Sequence, residues 1–576
     1  MNFYQVPSRL FVAGGYELKS SEGTTQGCPF AMAMYALGVR PLIDRLRPRS
    51  DEKKTDMPTQ AWYADDSQAV GSLESILRWW NLLNAHGPSY GYYPKAVKTY
   101  LIVKPAKLAK AQELFAETDI QIVGGGQRDL GAAIGTEAFI LKYLQEKVAH
   151  WSKQMLMLTE IAKTQPHAAH AGFVHGVRNK WYYCQRTMRQ VADLMQPIEN
   201  IIREKFLPAL FGNGTTVGDH ERKLYALPGR LGGLGVDNPV LSAPHMYAES
   251  VQFTQPLKEL LVTSTKDLTI DEEVQKKLKT SIKQGRETRL LAEAKALRVL
   301  VSPQLQRAMD LAQEKGASAV VTALPLEKYG MSFPAKRDFR DLLCLRYGYN
   351  VTGLPAQCAC GKPYGVSHSQ DCKTGGFILR RANAPQKLFA ELCKKAGWQD
   401  VAMEPRLEPL SGEKMRLKSA IIDDEARSDV RVGGFFFKKR NAFFEFRVFN
   451  PNARSYLSKS PETLQHEFEM TRSREYKQRI NEVDCGDFVP MIMSSTGGMG
   501  KDMQLAVKHL AKKLAETRNE TYSKVAGYVR CQFSFALARA ALGCLRGSRS
   551  LRCDFRYHEA LEVPADLALQ EIGGDV

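Results

Sequence analysis

The chain has 576 residues, too many for one ordinary hydrophobic core, so several domains are expected. Hydrophobic residues make up 44% and charged residues 25%, a balance that excludes an intrinsically disordered chain, while 80 Lys and Arg against 62 Asp and Glu give a net charge of +18 that favours nucleic acid as a partner. The 11 cysteines are scattered, which excludes a small disulfide scaffold and favours a reducing, intracellular setting, and no run approaches the roughly 20 apolar residues of a membrane helix.

Near the N-terminus, Ser21 to Pro29 forms a glycine-bearing loop that leads into an apolar helix from Phe30 to Leu46. Small residues there let a nucleotide and its template lie against the backbone. The segment Ala61 to Val70 sets Asp65 and Asp66 between runs of strand formers, a layout for a tight turn between two strands. Paired acids at a hairpin tip can hold divalent metal that activates a 3′ hydroxyl and stabilises leaving pyrophosphate. A solvated Asp-Asp turn is the plain alternative. Downstream, Gly91 to Thr99 precedes a strand at Tyr100 to Val103, and Gly124 to Gly131 is rich in turn residues.

In this order the segments resemble the later motifs of reverse transcriptases. Gln26-Gly27 is similar to the nucleotide-pocket motif, Tyr63-Ala64-Asp65-Asp66 to the YxDD box, Lys98-Thr99 to the lysine motif that follows it, and Arg128 to Gly131 to the primer grip. The resemblance implies nucleotide binding at Gly23, Gln26 and Gly27, metal ligation by Asp65 and Asp66, and Lys98 as proton donor to pyrophosphate. It also requires an aspartate on an earlier strand and a fingers subdomain. Before Gly23 the acids are Glu17 and Glu22, neither in an apolar strand, so this chain alone is not expected to extend a primer.

From Glu137 to about Asn200 the spacing turns helical, with Leu141, Leu144, Val148, Trp151 and Met155 on one face. A helical thumb fits this stretch. Its cations, among them Lys142, Lys147, Arg178, Lys180 and Arg186, suit a duplex-binding face and a solvated one about equally. Pro228 to Val236 breaks the helices with glycine, and Asp271 to Leu300 reads as a charged helix that is either solvated or shadows a nucleic-acid backbone.

The spacing Cys358-x-Cys360-x7-His368-x3-Cys372 puts three thiols and an imidazole within fifteen residues. That set closes a tetrahedral zinc shell with no open position, so a structural Zn²⁺ is expected; Gly361, Pro363 and Gly365 supply the bends. The preceding helix, Phe339 to Gly348, is expected to pack on this knuckle.

Beyond a helix at Ala384 to Gly397, Arg427 to Val432 and Asn441 to Val448 read as two strands, each presenting one acid near a common edge. Two such carboxylates hold Mg²⁺ (or Mn²⁺), with a cation one pleat further steadying water or phosphate. Asp429, Glu445 and Arg447 are similar to the D…(D/E)-x-K pattern of restriction-like nucleases, with Arg where Lys is usual; Arg keeps the charge and does not serve as a base. Ser460 to Glu482 reads as a charged helix in which Arg474, Tyr476, Lys477 and Arg479 are candidates to meet DNA phosphates, and the tail from Cys544 to Ser550 reads equally as a solvated basic turn or a contact.

Taken together, these segments resemble the C-terminal half of non-LTR retrotransposons that carry a restriction-like endonuclease. The resemblance implies an α+β multidomain chain: part of a reverse-transcriptase palm at 1–135, a helical thumb and connector at 136–335, a zinc knuckle at 336–380 and a restriction-endonuclease-like α/β domain at 381–560. It implies target-primed reverse transcription in the nucleus, with a DNA target, an RNA template, dNTPs, Mg²⁺ and no membrane. A decayed copy, or a host-adopted nucleic-acid-binding protein without the chemistry, is the alternative.

Overall fold

The computed structural model describes residues 6–21, 28–48, 57–189, 191–212, 215–263, 271–547 and 549. The chain condenses into two compact units that interleave along the sequence: Met1–Lys147 with Cys184–Val191 and Pro244–Lys283, and Val148–Tyr183 with Ala192–Ala243 and Gln284–Val576.

In the first unit, β1 (Ser8–Val12) and β2 (Tyr16–Ser20) form a hairpin, followed by α1 (Ala31–Arg45). A second hairpin pairs β3 (Thr59–Tyr63) with β4 (Asp66–Val70) and leads into α2 (Leu73–His86). The Ser72 hydroxyl caps α2 by accepting from the Ser75 N–H at 3.1 Å. Then β5 (Tyr100–Ile102), α3 (Leu108–Leu114) and a parallel β6 (Gln121–Val123) make a small βαβ turn, closed by the hairpin β7 (Gly126–Asp129) and β8 (Ala132–Gly135). Leu42, Trp79, Trp80, Leu83, Leu101 and Phe115 are buried together. The Gln60 side-chain oxygen accepts from both Trp62 Nε1 and Trp79 Nε1, at 3.0 and 3.1 Å, which satisfies two indole donors in this core.

Helices then dominate: α4 (Glu137–Thr164), α5 (Pro166–Gly172), α6 (Asn179–Thr187), α7 (Gln196–Ile201), α8 (Leu207–Phe211), α9 (Asp219–Ala226), α10 (Pro239–Thr263) and α11 (Glu272–Arg298). Leu144, Val148, Trp151 and Met155 of α4 are buried as their spacing predicts, whereas Leu141, one turn nearer the N-terminus, stays 44% exposed. The glycine-rich break is a packed turn: Gly235 N–H donates to the Leu227 carbonyl, and a Cβ on Gly233 would sit 1.8 Å from that same oxygen. Only glycine fits that position.

The second unit continues through α12 (Pro303–Ala312), α13 (Ala319–Thr322), α14 (Asp338–Tyr347), α15 (Val366–Asp371) and α16 (Phe377–Lys395) to a four-stranded mixed sheet. Its strands are β9 (Val401–Met403), β10 (Val430–Gly433), β11 (Asn441–Phe449) and, after α17 (Pro461–Arg472) and α18 (Gln478–Glu482), β12 (Asp487–Ser494). The order is β12-β11-β10-β9, with β11 parallel to β12 and antiparallel to β10. Helices α19 (Lys501–Arg518) and α20 (Tyr522–Arg546) end the described chain.

Alternation along β11 decides the layers. Ala442, Phe444, Phe446 and Val448 join the large core with α16, α19 and α20, and α19 contributes Met503, Ala506, Val507, Leu510 and Leu514 at helical spacing. On the other face Phe443 packs with Ile480, and Phe449 with Leu464, beneath α17 and α18. Glu445 and Arg447 lie between those two small clusters, so the strand presents its charged pair where the second helical layer leaves the sheet open to polar groups.

Several cations read as candidate nucleic-acid contacts belong to the fold instead. Arg479 is fully buried and donates to the carbonyls of Ile421, Asp423 and Glu408. Arg178 donates to the Gly235 carbonyl at 2.8 Å and lies 3.6 Å from Asp237. In the basic tail, Arg546 is clamped to Asp341 through two bonds of 2.7 and 2.9 Å, and Arg549 is buried against Ser369 and Cys544 carbonyls, so neither half of the solvated-turn-or-contact reading holds for these two residues. Helix α14 packs on α5, α8, α12 and α20, and α20 also packs on α15, the helix that carries His368 of the knuckle. Among the described residues, no helix is long and apolar enough to cross a membrane.

Candidate functional site

The knuckle forms because its backbone turns sharply between the first two thiols. Cys358 N–H donates to the Lys362 carbonyl and Gly361 N–H to that of Cys358, with Gly361 at φ +83°, a conformation that suits glycine. Helix α15 then carries His368, and Cys372 follows it directly. The four ligand atoms lie within 4.8 Å of one another. Cys358 Sγ is 3.7 Å from Cys372 Sγ, and Cys360 Sγ is 3.3 Å from His368 Nε2. Bonds of about 2.3 Å to sulfur at tetrahedral angles place two thiolates about 3.8 Å apart, so the cluster can hold a metal ion and is compatible with structural zinc. Burial pushes the Cys372 thiol up, but hydrogen bonds from Thr374, and then from Cys358 and Cys360, together outweigh it and bring the group down to about 7. Such a thiol ionises readily, as ligation requires.

The second constellation joins β10 and β11. Asp429 falls one residue before β10, not within the strand expected there, and its N–H turns to a side chain rather than to the backbone of the facing strand. Asp429 N–H donates to Glu445 Oε1 at 3.0 Å, and Phe446 N–H donates to Asp429 Oδ2 at 2.6 Å, so Glu445 is held at the Asp429 backbone and Asp429 at the backbone of the residue after Glu445. The Asp429 carbonyl accepts from Glu404 N–H at 2.9 Å and from the buried Gln386 Nε2 at 2.9 Å. Glu445 is 4% exposed. Burial, and then the charge of Asp429, push its carboxyl up to about 8, with Arg472 opposing. Burial also raises Asp429, despite the Phe446 hydrogen bond and Arg472.

Sequence reasoning did not find Arg472. It sits at the end of α17, is half-buried, pairs with Glu475 at 2.7 Å and feels the charge of Glu445. Tyr476, one turn on, is stacked on Phe488 and is raised to about 12 by burial and by Glu445. Arg447 shares the face of Glu445 but is exposed, its guanidinium 5.4 Å from the Phe468 ring centroid. No periodic mark in the sequence singles out Arg472 or Gln386; only the packing of α17 and α16 on the sheet brings them to the acids.

In the first unit, Tyr63 pairs with Asp66, leaving Ala64 and Asp65 as a two-residue hairpin tip, with Ala64 at φ +54°. Both aspartates are exposed. Tyr92 braces the tip, its hydroxyl donating to the Asp65 carbonyl at 3.0 Å and meeting Ser67 Oγ at 2.9 Å. Asp129, in the segment similar to a primer grip, is tied to the hairpin by Gln68 Nε2 at 2.9 Å; burial and then the charge of Asp66 raise its carboxyl. Lys98 closes a short 3₁₀ turn and is exposed. Gly23, Gln26 and Gly27 lie outside the described residues.

No family model matches the chain, and no curated protein matches it significantly.

Proposed function

We propose that the second unit cleaves DNA with divalent metal held by Asp429 and Glu445, and that the chain acts in retrotransposon-type target-primed reverse transcription with a structural Zn²⁺ in the knuckle. The observation that carries this reading is the hydrogen bonding that ties Asp429, at the entry to β10, to Glu445 of the adjacent β11, both acids being raised by burial. A pair kept costly to ionise gains most from a cation, which is the chemistry of a metal-dependent hydrolase site.

The donor set fits a hard cation. Each carboxylate uses one oxygen on a backbone N–H and has a second, and the site offers oxygen rather than sulfur or imidazole. Mg²⁺ bound there supplies charge stabilisation and a more acidic water. Arg472 supplies fixed positive charge over Glu445 for a scissile phosphate, while Arg447, exposed on the same face, steers the incoming strand. Glu404 N–H and Gln386 fix the Asp429 backbone so that its carboxylate keeps its orientation.

The reading extends to the first unit by the position of Asp65 and Asp66 at a hairpin tip, where paired acids can meet a primer terminus and a dNTP on an RNA template, with Lys98 as proton donor. Nuclear action and a DNA target belong to the same proposal. A supercoiled-plasmid nicking assay with Mg²⁺, Mn²⁺ or EDTA tests it. Nicking by the full chain that Asp429→Ala and Glu445→Ala each abolish, with DNA binding retained, is the expected result. Nicking at full rate in both variants would place the site elsewhere, and its absence in the unmutated chain would favour a binding protein.

A further inference from the structure

Helix α15 is six residues long, shorter than a helix that stands alone, and it holds its shape through what grips it at each end. One grip is the metal cluster, through His368 and the adjoining Cys372. The other is a set of bonds to the sheet and its helices. Asn450, the residue after β11, donates from Nδ2 to Asp371 Oδ1 at 3.0 Å and accepts the Asn452 N–H on its own oxygen at 3.1 Å. Arg381 of α16, 2% exposed, donates to the Gln370 carbonyl and to its side-chain oxygen, at 2.9 and 3.1 Å. Gln370 Nε2 reaches the Ala541 carbonyl of α20 at 3.0 Å.

These bonds end just past the strand that carries Glu445 and on the helix that carries Gln386. Asn450 directly follows β11, five residues beyond Glu445, about 17 Å along an extended chain. Arg381 and the Asp429-holding Gln386 belong to the same helix. The buried Arg381 guanidinium also feels the charges of Asp371, at the end of the ligand helix, and of Arg447 on β11. Hydrogen bonds between buried polar groups favour one arrangement, and losing one anchor loosens the rest.

We infer that the Cys358–Cys360–His368–Cys372 site, when metal-loaded, positions the acid-bearing strand β11 through Asp371–Asn450 and Gln370–Arg381, so that zinc governs cleavage at a site it does not touch. Asp371 and Asn450 are positioning residues in this scheme. Its activity arm rests on the nuclease reading, whereas its structural arm does not.

The test uses the full chain. Zinc is removed with a chelator and restored as Zn²⁺, and amide exchange is followed at Val448 to Asn450, at the end of β11, and at Met493 to Ser495 beside it. Exchange should quicken about tenfold without zinc and recover on its return. Asn450→Ala, remote from the ligands, should keep one zinc per chain, give the same faster exchange and lower kcat for nicking about tenfold at unchanged KM. Asp371→Asn combined with Asn450→Asp re-creates the bond with donor and acceptor exchanged and should restore both readouts. Exchange in β11 that is indifferent to zinc, or a double variant no better than Asn450→Ala, would overturn the inference. If the unmutated chain does not nick, the nuclease reading fails while the exchange measurements still decide the anchor.

Discussion

Glu445→Gln separates the cost of the buried acid from its use. In the folded chain the carboxyl is pushed from 4.5 up to about 8, by burial and then by Asp429, so the native state binds the proton more tightly than the unfolded chain does. The sign follows: this contribution to stability is full below pH 4.5, falls as pH rises, and is gone above about 8. At about 1.4 kcal/mol per tenfold in proton affinity the ceiling is about 5 kcal/mol, and relaxation with water entry brings the expected loss to on the order of 2–3 kcal/mol. Urea unfolding of metal-free protein at pH 5, 7 and 9 measures it. The parent should lose stability across that range, whereas Glu445→Gln should be flatter and the more stable of the two at pH 9. Added Mg²⁺ should stabilise the parent at pH 8 and leave the variant nearly unaffected. Parallel pH profiles, or equal stabilisation of both by Mg²⁺, would refute the idea that the acid pair stores charge repulsion that a cation relieves.

Three further outcomes are expected. Glu314, buried against Ser494, Thr496 and Gln465 and raised to about 7 chiefly by burial, loses its contribution between pH 4.5 and 7, so Glu314→Gln should gain about 1–2 kcal/mol at pH 8.5 and nothing at pH 5 in the same unfolding assay. Arg479→Met removes a buried donor from three carbonyls, of which Asp423 keeps the Ala426 N–H, and should cost on the order of 3 kcal/mol, read as a lower Tm with no change in the salt dependence of DNA binding. Arg472→Ala should lower the nicking rate about 100-fold, whereas Arg447→Ala should act mainly on DNA affinity and its salt dependence; equal effects on both parameters would undo the division of roles between them.

The sequence alone determined the local features whose physics is short-range. Four ligands within fifteen residues can meet only by wrapping, and the bends at Gly361 and Gly365 are written beside them. Tyr63 to Asp66 turns where two strand-forming runs face each other across two residues, and the aromatic alternation of Asn441 to Val448 makes β11. The acids themselves, Asp429 and Glu445, are visible as residues on neighbouring strand-like runs. Tertiary structure decided what surrounds them. Register sets Asp429 opposite Glu445, and the packing of α17 brings Arg472 to them from 27 residues beyond Glu445, a separation that no periodicity encodes. It also sorted the cations: Arg178, Arg479, Arg546 and Arg549 look like surface charge in the sequence, yet each is spent on carbonyls or a carboxylate inside the fold. Charge can be counted along a chain, but whether an arginine meets solvent or a buried carbonyl depends on which distant backbone groups the fold leaves without a donor.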